Sequence, residues 1–241
     1  MASAKHSGQI RRFPYTALGH ANHGWLDARH HFSFARYWNP ERTGFGKLVV
    51  INDDTIAAGR GFDTHSHQNM EIITYVRQGA ITHQDSMQNK GKTEAGDVQV
   101  MSAGRGVAHS EYNLESESTR LYQIWIVPNV DNVQPRWEAK IFPKAPVVNA
   151  LPVLVSGRDE HKDSGALWVY QDAAIYGGRM QKGTQLSLAI KHQAYVLASE
   201  GGFSINGCKM FTGDGAEVTD ISQINIVADS DAEILVIDVP A

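Results

Sequence analysis

The chain is expected to be all-β, folding as two small tandem β-barrels with little helix. Short β-branched and aromatic runs are punctuated by glycine and asparagine, no segment carries a long helical period, and the two halves echo each other. At 241 residues there is chain enough for two such barrels, each with a core of its own.

In the first half, residues 47–52, 71–77, 80–84, 97–102 and 121–127 read as strands. In the second half, residues 186–190, 194–198, 203–205, 208–211, 223–227 and 233–239 do so, with Asn206-Gly207 a two-residue hairpin signal. Residues 129–163 hold Pro135, Pro143, Pro146 and Pro152 and few alternating positions, so they read as a connection with a short helix near 134–139. The expected division is an N-terminal domain over 1–130, a connecting segment over 131–152 and a C-terminal domain over 153–241. The echo runs through the glycines. Gln78-Gly79 with Ile81, Gly91-Lys92 and Gly96-Asp97 parallels Glu200-Gly201 with Phe203, Gly207-Cys208-Lys209 and Gly213-Asp214.

Chemistry concentrates in two triplets, His65-Ser66-His67 and His109-Ser110-Glu111. In a strand, residues i and i+2 face the same way, so each triplet offers two ligating groups to one face. Three imidazoles and a carboxylate suit a borderline divalent transition metal better than magnesium or calcium. Aligning Gly79 on Gly201 sets His65 on Ser187 and His67 on Ala189, so one metal per chain is expected, in the first half alone. Glu71 shares the parity of His65 and His67 and stands as an alternative ligand, or as an acceptor that orients an imidazole.

The glycine framework around the triplets resembles the two cupin motifs. Ser102 stands where that family usually has proline, and two extra residues precede His109. The runs His23-Gly24-Trp25-Leu26-Asp27, His31-Phe32-Ser33-Phe34, Val50-Ile51-Asn52-Asp53-Asp54 and His83-Gln84-Asp85-Ser86-Met87 resemble the pirin group of bicupins. So do the stretch 101–113 and Leu121-Tyr122-Gln123-Ile124-Trp125-Ile126. The resemblance implies two cupin barrels, whose end strands exchange readily, and a metal held by His65, His67, His109 and Glu111. Iron(II) is the first expectation, with nickel, copper, zinc, manganese and cobalt as alternatives. It further implies a quercetin 2,3-dioxygenase activity in which Glu111 accepts the flavonol 3-hydroxyl proton and dioxygen adds across the ring, with loss of carbon monoxide. The other role known among pirins is an iron-containing, redox-sensing regulator that binds protein partners.

Other features bound these readings. A net charge of −4 without a lysine or arginine run argues against direct nucleic-acid contact. Cys208 is the single cysteine, so no intrachain disulfide forms, and a catalytic thiol is not expected there. Arg11-Arg12-Phe13 is followed by no apolar stretch, and no segment has membrane-spanning length, so a cytoplasmic monomer is expected. His83 reads as a hydrogen-bonded structural residue. His30, His31, His161 and His192 read as surface or loop residues, and His20 and His23 as bordering the site mouth. Phe45, Phe62, Met101, Tyr122 and Trp125 read as core, some of them lining an apolar pocket.

Overall fold

The computed structural model describes residues 8–241, so the first seven residues of the domain expected over 1–130 lie outside it. Among the described residues, helix is limited to two single 3-10 turns, Tyr15–Ala17 and Asp159–His161. None is long and apolar enough to cross a membrane.

Two compact units are each assembled from separated segments. The first comprises residues 18–144 and 154–172. Seven strands lie side by side in the order Arg136–Lys140, Val98–Ser102, Glu71–Gln78, Thr119–Ile126, Leu48–Ile56, Leu26–His30, Gly19–Asn22. A four-stranded sheet runs Gly61–His67, Val107–Tyr112, Ala80–Asp85, Lys90–Glu94. Leu26, Ala28, Ile56, Val76 and Leu121 of the larger sheet pack with Ile81 of the smaller one. Each such aliphatic side chain stabilises the fold by roughly 1.5–3 kcal/mol on burial. A second cluster sets Ile72 and Met101 of the larger sheet against Val107 of the smaller one, and polar side chains such as Gln99 and Glu111 are also buried in this unit.

The second unit takes the described residues up to Ala17 with 145–153 and 173–241. Gln9–Phe13, Gly215–Thr219, Gln193–Glu200, Ala232–Val239 and Ala174–Met180 pair in that order. A four-stranded sheet runs Gln185–Ala189, Gln223–Ala228, Gly202–Ile205, Cys208–Phe211. Both four-stranded sheets have one connectivity: the first strand in the chain pairs with the last, and the middle two complete the sheet. The core here is continuous and apolar, with Val196, Phe203, Ile205, Met210, Val218, Ile226 and Val236 all buried.

Turn chemistry explains the repeat. Gly79 and Gly201 take φ of +72° and +69°, and Gly96 and Gly213 both take +86°, a region that costs side-chain-bearing residues. Asn206 and Gly207 both have positive φ, which matches the tight turn closing the Gly202–Ile205 and Cys208–Phe211 hairpin.

The helix expected near 134–139 is instead the edge strand Arg136–Lys140, paired antiparallel with Val98–Ser102. Pro135 and Pro143 bracket too short a segment for a stable helix, while the sheet edge offers its backbone partners. The 131–152 segment is no free connector: residues up to Lys144 belong to the first unit, and those from Ala145 to the second. The linear division is also crossed at the amino end, since Gln9–Phe13 pairs with Gly215–Thr219.

Gly201 and Gly207 separate strain from space. A Cβ on Gly201 would lie 2.0 Å from the Asp231 carbonyl oxygen, whereas one on Gly207 meets nothing. Gly207→Ala should lose only the left-handed backbone cost, roughly 1–2 kcal/mol. Gly201→Ala should lose clearly more in thermal or urea unfolding; equal losses would show that the crowding is relieved without cost.

Candidate metal centre

The Gly61–His67 and Val107–Tyr112 strands pair antiparallel, with His65 opposite His109 and Ser66 opposite Ala108. The register then slips, so that Glu111 faces Phe62 and the bulge leaves Asp63 and Thr64 outside the pairing. The Asp63 carbonyl accepts the His65 Nδ1–H at 2.7 Å. A carbonyl can only accept, so this bond puts a proton on His65 Nδ1, and in the neutral ring Nε2 is the nitrogen left to bind a metal.

One ligating nitrogen from each of His65, His67 and His109 lies within 4.8 Å of the others. His65 Nε2 and His109 Nε2 are 3.1 Å apart, and the buried His67 Nε2 has no hydrogen-bond partner. A buried, unpartnered imidazole nitrogen is costly unless something fills the space before it. Burial, with His65 beside it, pushes the His67 pKa down to about 4. Burial and the neighbouring imidazoles hold His109 at about 3. Both rings are therefore neutral near pH 7, as metal ligands must be. The donor set and the orphaned nitrogen fit a borderline divalent metal, and the centre is histidine-based.

Glu111 lies one strand pair deeper, grouped with His83 and His109 by ligating atoms within 4.8 Å of one another. Its Oε1 accepts from Gln99 Nε2 at 2.6 Å and Thr74 Oγ1 at 3.2 Å, and its Oε2 from Gln123 Nε2 at 2.5 Å. Burial raises its pKa, against the nearby His83 and the donors from Gln123 and Thr74. Asp54, also buried, is raised well above the usual carboxylate range by desolvation, Asp53 and Glu111.

Several histidines lie where the sequence does not foretell. His30 and His31, expected at the surface, are buried; His30 Nδ1 donates to Asn52 Oδ1 at 2.8 Å, and burial pushes His31 down to about 3. His83 matches its reading as a hydrogen-bonded structural residue: it is fully buried and reaches His109, with Asp85 at its far nitrogen. Histidine and aspartate two apart in a strand, as in His83-Gln84-Asp85, is the signal that marks this pair. Gln99, Gln123 and Thr74 carry no such mark, because their role depends on which strands become neighbours. Trp125, half-buried, sets its ring edge-on to His67 at 4.9 Å, and Phe34 packs edge-on to Trp125 at 5.6 Å. A cleft of about 400 Å³ opens beside His67, lined also by Ser66, Gln68, Ser86 and Val107.

Comparison with known proteins agrees with this geometry. The family profile described as pirin matches residues 12–126, and that described as the quercetinase C-terminal cupin domain matches residues 153–239. A Pseudomonas aeruginosa protein is 51% identical over 232 residues, covering 95% of this chain and 99% of its own length. The chain belongs to the pirin family. It is 46% identical over 225 residues to the quercetin 2,3-dioxygenase of Escherichia coli K12, with 92% of this chain and 95% of that one covered. The crystal structure of the bacterial pirin YhhW from Escherichia coli in complex with nickel(II) superposes with a TM-score of 0.89 at 44% identity, covering 96% of this chain and 99% of that one. The expected all-β fold with two cupin domains holds.

Glu71 of this pirin lies outside both clusters. Its Oε2 accepts from Ser102 Oγ at 2.8 Å, and its Oε1 is buried without a partner. Burial pushes its pKa up from 4.5 to about 7, against Ser102, the Tyr170 backbone and Arg136. Below the unfolded value both states are neutral and nothing is lost. As pH rises to the folded value, the unfolded chain ionises first and stability falls; above it the cost is complete. Glu71→Gln should therefore raise stability at pH 8 by on the order of 2–3 kcal/mol relative to its effect at pH 4. Denaturation of both proteins at the two pH values checks this, and a pH-independent difference would contradict it.

Proposed function

We propose that this pirin is a metal-dependent dioxygenase acting on flavonols such as quercetin, with His65, His67, His109 and Glu111 as ligands and Glu111 as the base. The observation that carries the reading is the convergence of three imidazoles, two of them held neutral by burial and one of these with an orphaned nitrogen, beside a buried carboxylate of raised pKa. The activity named for the Escherichia coli relative supports the substrate class, and the nickel(II) in the Escherichia coli pirin supports a divalent first-row metal. Iron(II) is the metal we propose, because an N3O donor set leaving open positions suits it and dioxygen chemistry needs a redox-active ion.

A metal held here supplies Lewis acidity toward a chelating oxygen and access to dioxygen. The chain's own residues do the rest. Glu111 takes the 3-hydroxyl proton of the flavonol, and burial prepares it by favouring the protonated product form. Gln99, Gln123 and Thr74 hold both carboxylate oxygens in place, so little reorganisation accompanies the transfer. Trp125 and Phe34 provide an apolar wall next to His67, and the neighbouring cleft falls within the roughly 300–1,000 Å³ common for ligand sites. We place the metal site in the unit of residues 18–144 and 154–172, which holds most of the expected N-terminal domain 1–130, and propose none in the expected C-terminal domain, 153–241. In the latter, Ser187 pairs with Asn225 in the register that His65 and His109 occupy in the former. We also propose a cytoplasmic monomer.

Elemental analysis should return one divalent metal per chain, and anomalous scattering should place it against His65, His67 and His109. Oxygen uptake with quercetin by the iron-loaded protein should be lost, together with the metal, in His67→Ala. Glu111→Gln should keep part of the metal while turnover falls roughly 10²–10⁴-fold, as loss of a positioned base does. A fully loaded wild-type protein that consumes no oxygen would sink the dioxygenase reading.

A further inference from the structure

The proton inventory of the buried groups behind His109 has one self-consistent solution that permits metal binding. Asp85 is tied down on both carboxylate oxygens. Its Oδ1 accepts the backbone N–H of Met87 at 2.9 Å and of Asn89 at 3.0 Å, and its Oδ2 accepts Asn89 Nδ2–H at 2.9 Å. The remaining partner of Oδ2 is His83 Nε2 at 3.0 Å. A carboxylate accepts, so His83 carries its proton on Nε2. The other nitrogen of that ring, Nδ1, lies 3.3 Å from His109 Nδ1.

Only one proton fits between these two Nδ1 atoms. If His83 holds it, His83 is doubly protonated, the neutral His109 carries its hydrogen on Nε2, and that hydrogen points at His65 Nε2, 3.1 Å away. The nitrogen needed for a metal is then blocked. If His109 holds the proton on Nδ1, its Nε2 lone pair is free toward the ligating nitrogens of His65 and His67. The His83 ring is held in the plane this requires: it lies flat on Trp137, with centroids 4.8 Å apart and planes 7° apart. Gly91, opposite His83 in the strand pair, makes room for that indole, since a Cβ there would sit 2.3 Å from the Trp137 ring.

We infer that Asp85 and His83 form a buried relay that fixes His109 in the tautomer able to bind metal, with His83 a positioning residue rather than a ligand. The inference rests on the proposed metal centre and adds the mechanism by which one of its ligands is oriented. Hydrogen-bonded groups behind a ligating histidine typically change metal affinity or activity by about 10–100-fold when removed.

The test is nickel affinity of the full chain, measured by competition with a chromophoric chelator, for wild type, His83→Phe, His83→Gln and Asp85→Asn. His83→Phe keeps the flat ring on Trp137 but cannot accept from His109, and should bind nickel about 10–100-fold more weakly. His83→Gln loses the stacking ring but offers an acceptor oxygen, and should recover part of that loss. Asp85→Asn, which weakens the hold on His83, should fall between wild type and His83→Phe. Two-bond ¹H–¹⁵N spectra of the zinc-loaded wild type give a readout independent of packing, with His83 expected to be protonated on Nε2 and His109 on Nδ1. Wild-type affinity in His83→Phe, or a His109 proton on Nε2 with zinc bound, would overturn the relay while leaving the metal centre standing. A wild-type chain that binds neither nickel nor zinc would bring down the metal centre itself, and the relay with it.

Discussion

Crowding of three imidazoles, two of them desolvated and neutral, is the constraint on which the rest of this site depends. The ring centroids of His65, His67 and His109 lie 4.5 to 5.0 Å apart. A proton added to His67 or His109 would leave an imidazolium short of solvent, with no carboxylate in the trio to pair with, and burial disfavours it. The surroundings answer this one problem. The bulge frees the Asp63 carbonyl to fix His65, the strand register sets His109 opposite, and Trp125 closes the flank of His67. Polar side chains behind the rings take up the remaining hydrogen-bonding capacity, so the cost of the cluster is confined to the face where an ion can relieve it.

Much of the architecture is legible in the amino acids because turns and alternation are local. The strands around Glu71, Ala80 and Gln193, and the Asn206-Gly207 hairpin, need nothing beyond their own residues to be recognised. The strands Lys90–Glu94 and Arg136–Lys140 are different: lysine, glutamate and glycine are poor strand formers, and their extended conformation comes from the neighbour whose backbone they complete. The crossing of Gln9–Phe13 to Gly215–Thr219 is a contact between the ends of the chain, which no local pattern encodes.

The same distinction separates the parts of the site. His65-x-His67 and His109-x-Glu111 show themselves through strand periodicity, since each pair is a property of one strand. The cage around Glu111 does not, because Thr74, Gln99 and Gln123 come from three different strands of the larger sheet and meet only once it has formed. Burial reverses other readings. His30 and His31 have the polarity of surface residues, yet they lie inside, where Asn52 supplies a hydrogen bond to the first and desolvation keeps the second uncharged.

The paired barrels show how loosely scaffold and chemistry are coupled. Ser187 and Asn225 hold the register places of His65 and His109, and the Ser187 hydroxyl simply donates to the Asn225 side-chain oxygen at 2.7 Å. Both side chains are exposed, so neither contributes to the apolar core that keeps that sheet in place. Ligand positions on such a sheet can stand empty at almost no thermodynamic penalty to the fold. A gene that doubles this barrel thus acquires one copy bound to its chemistry and another free to drift toward a different task.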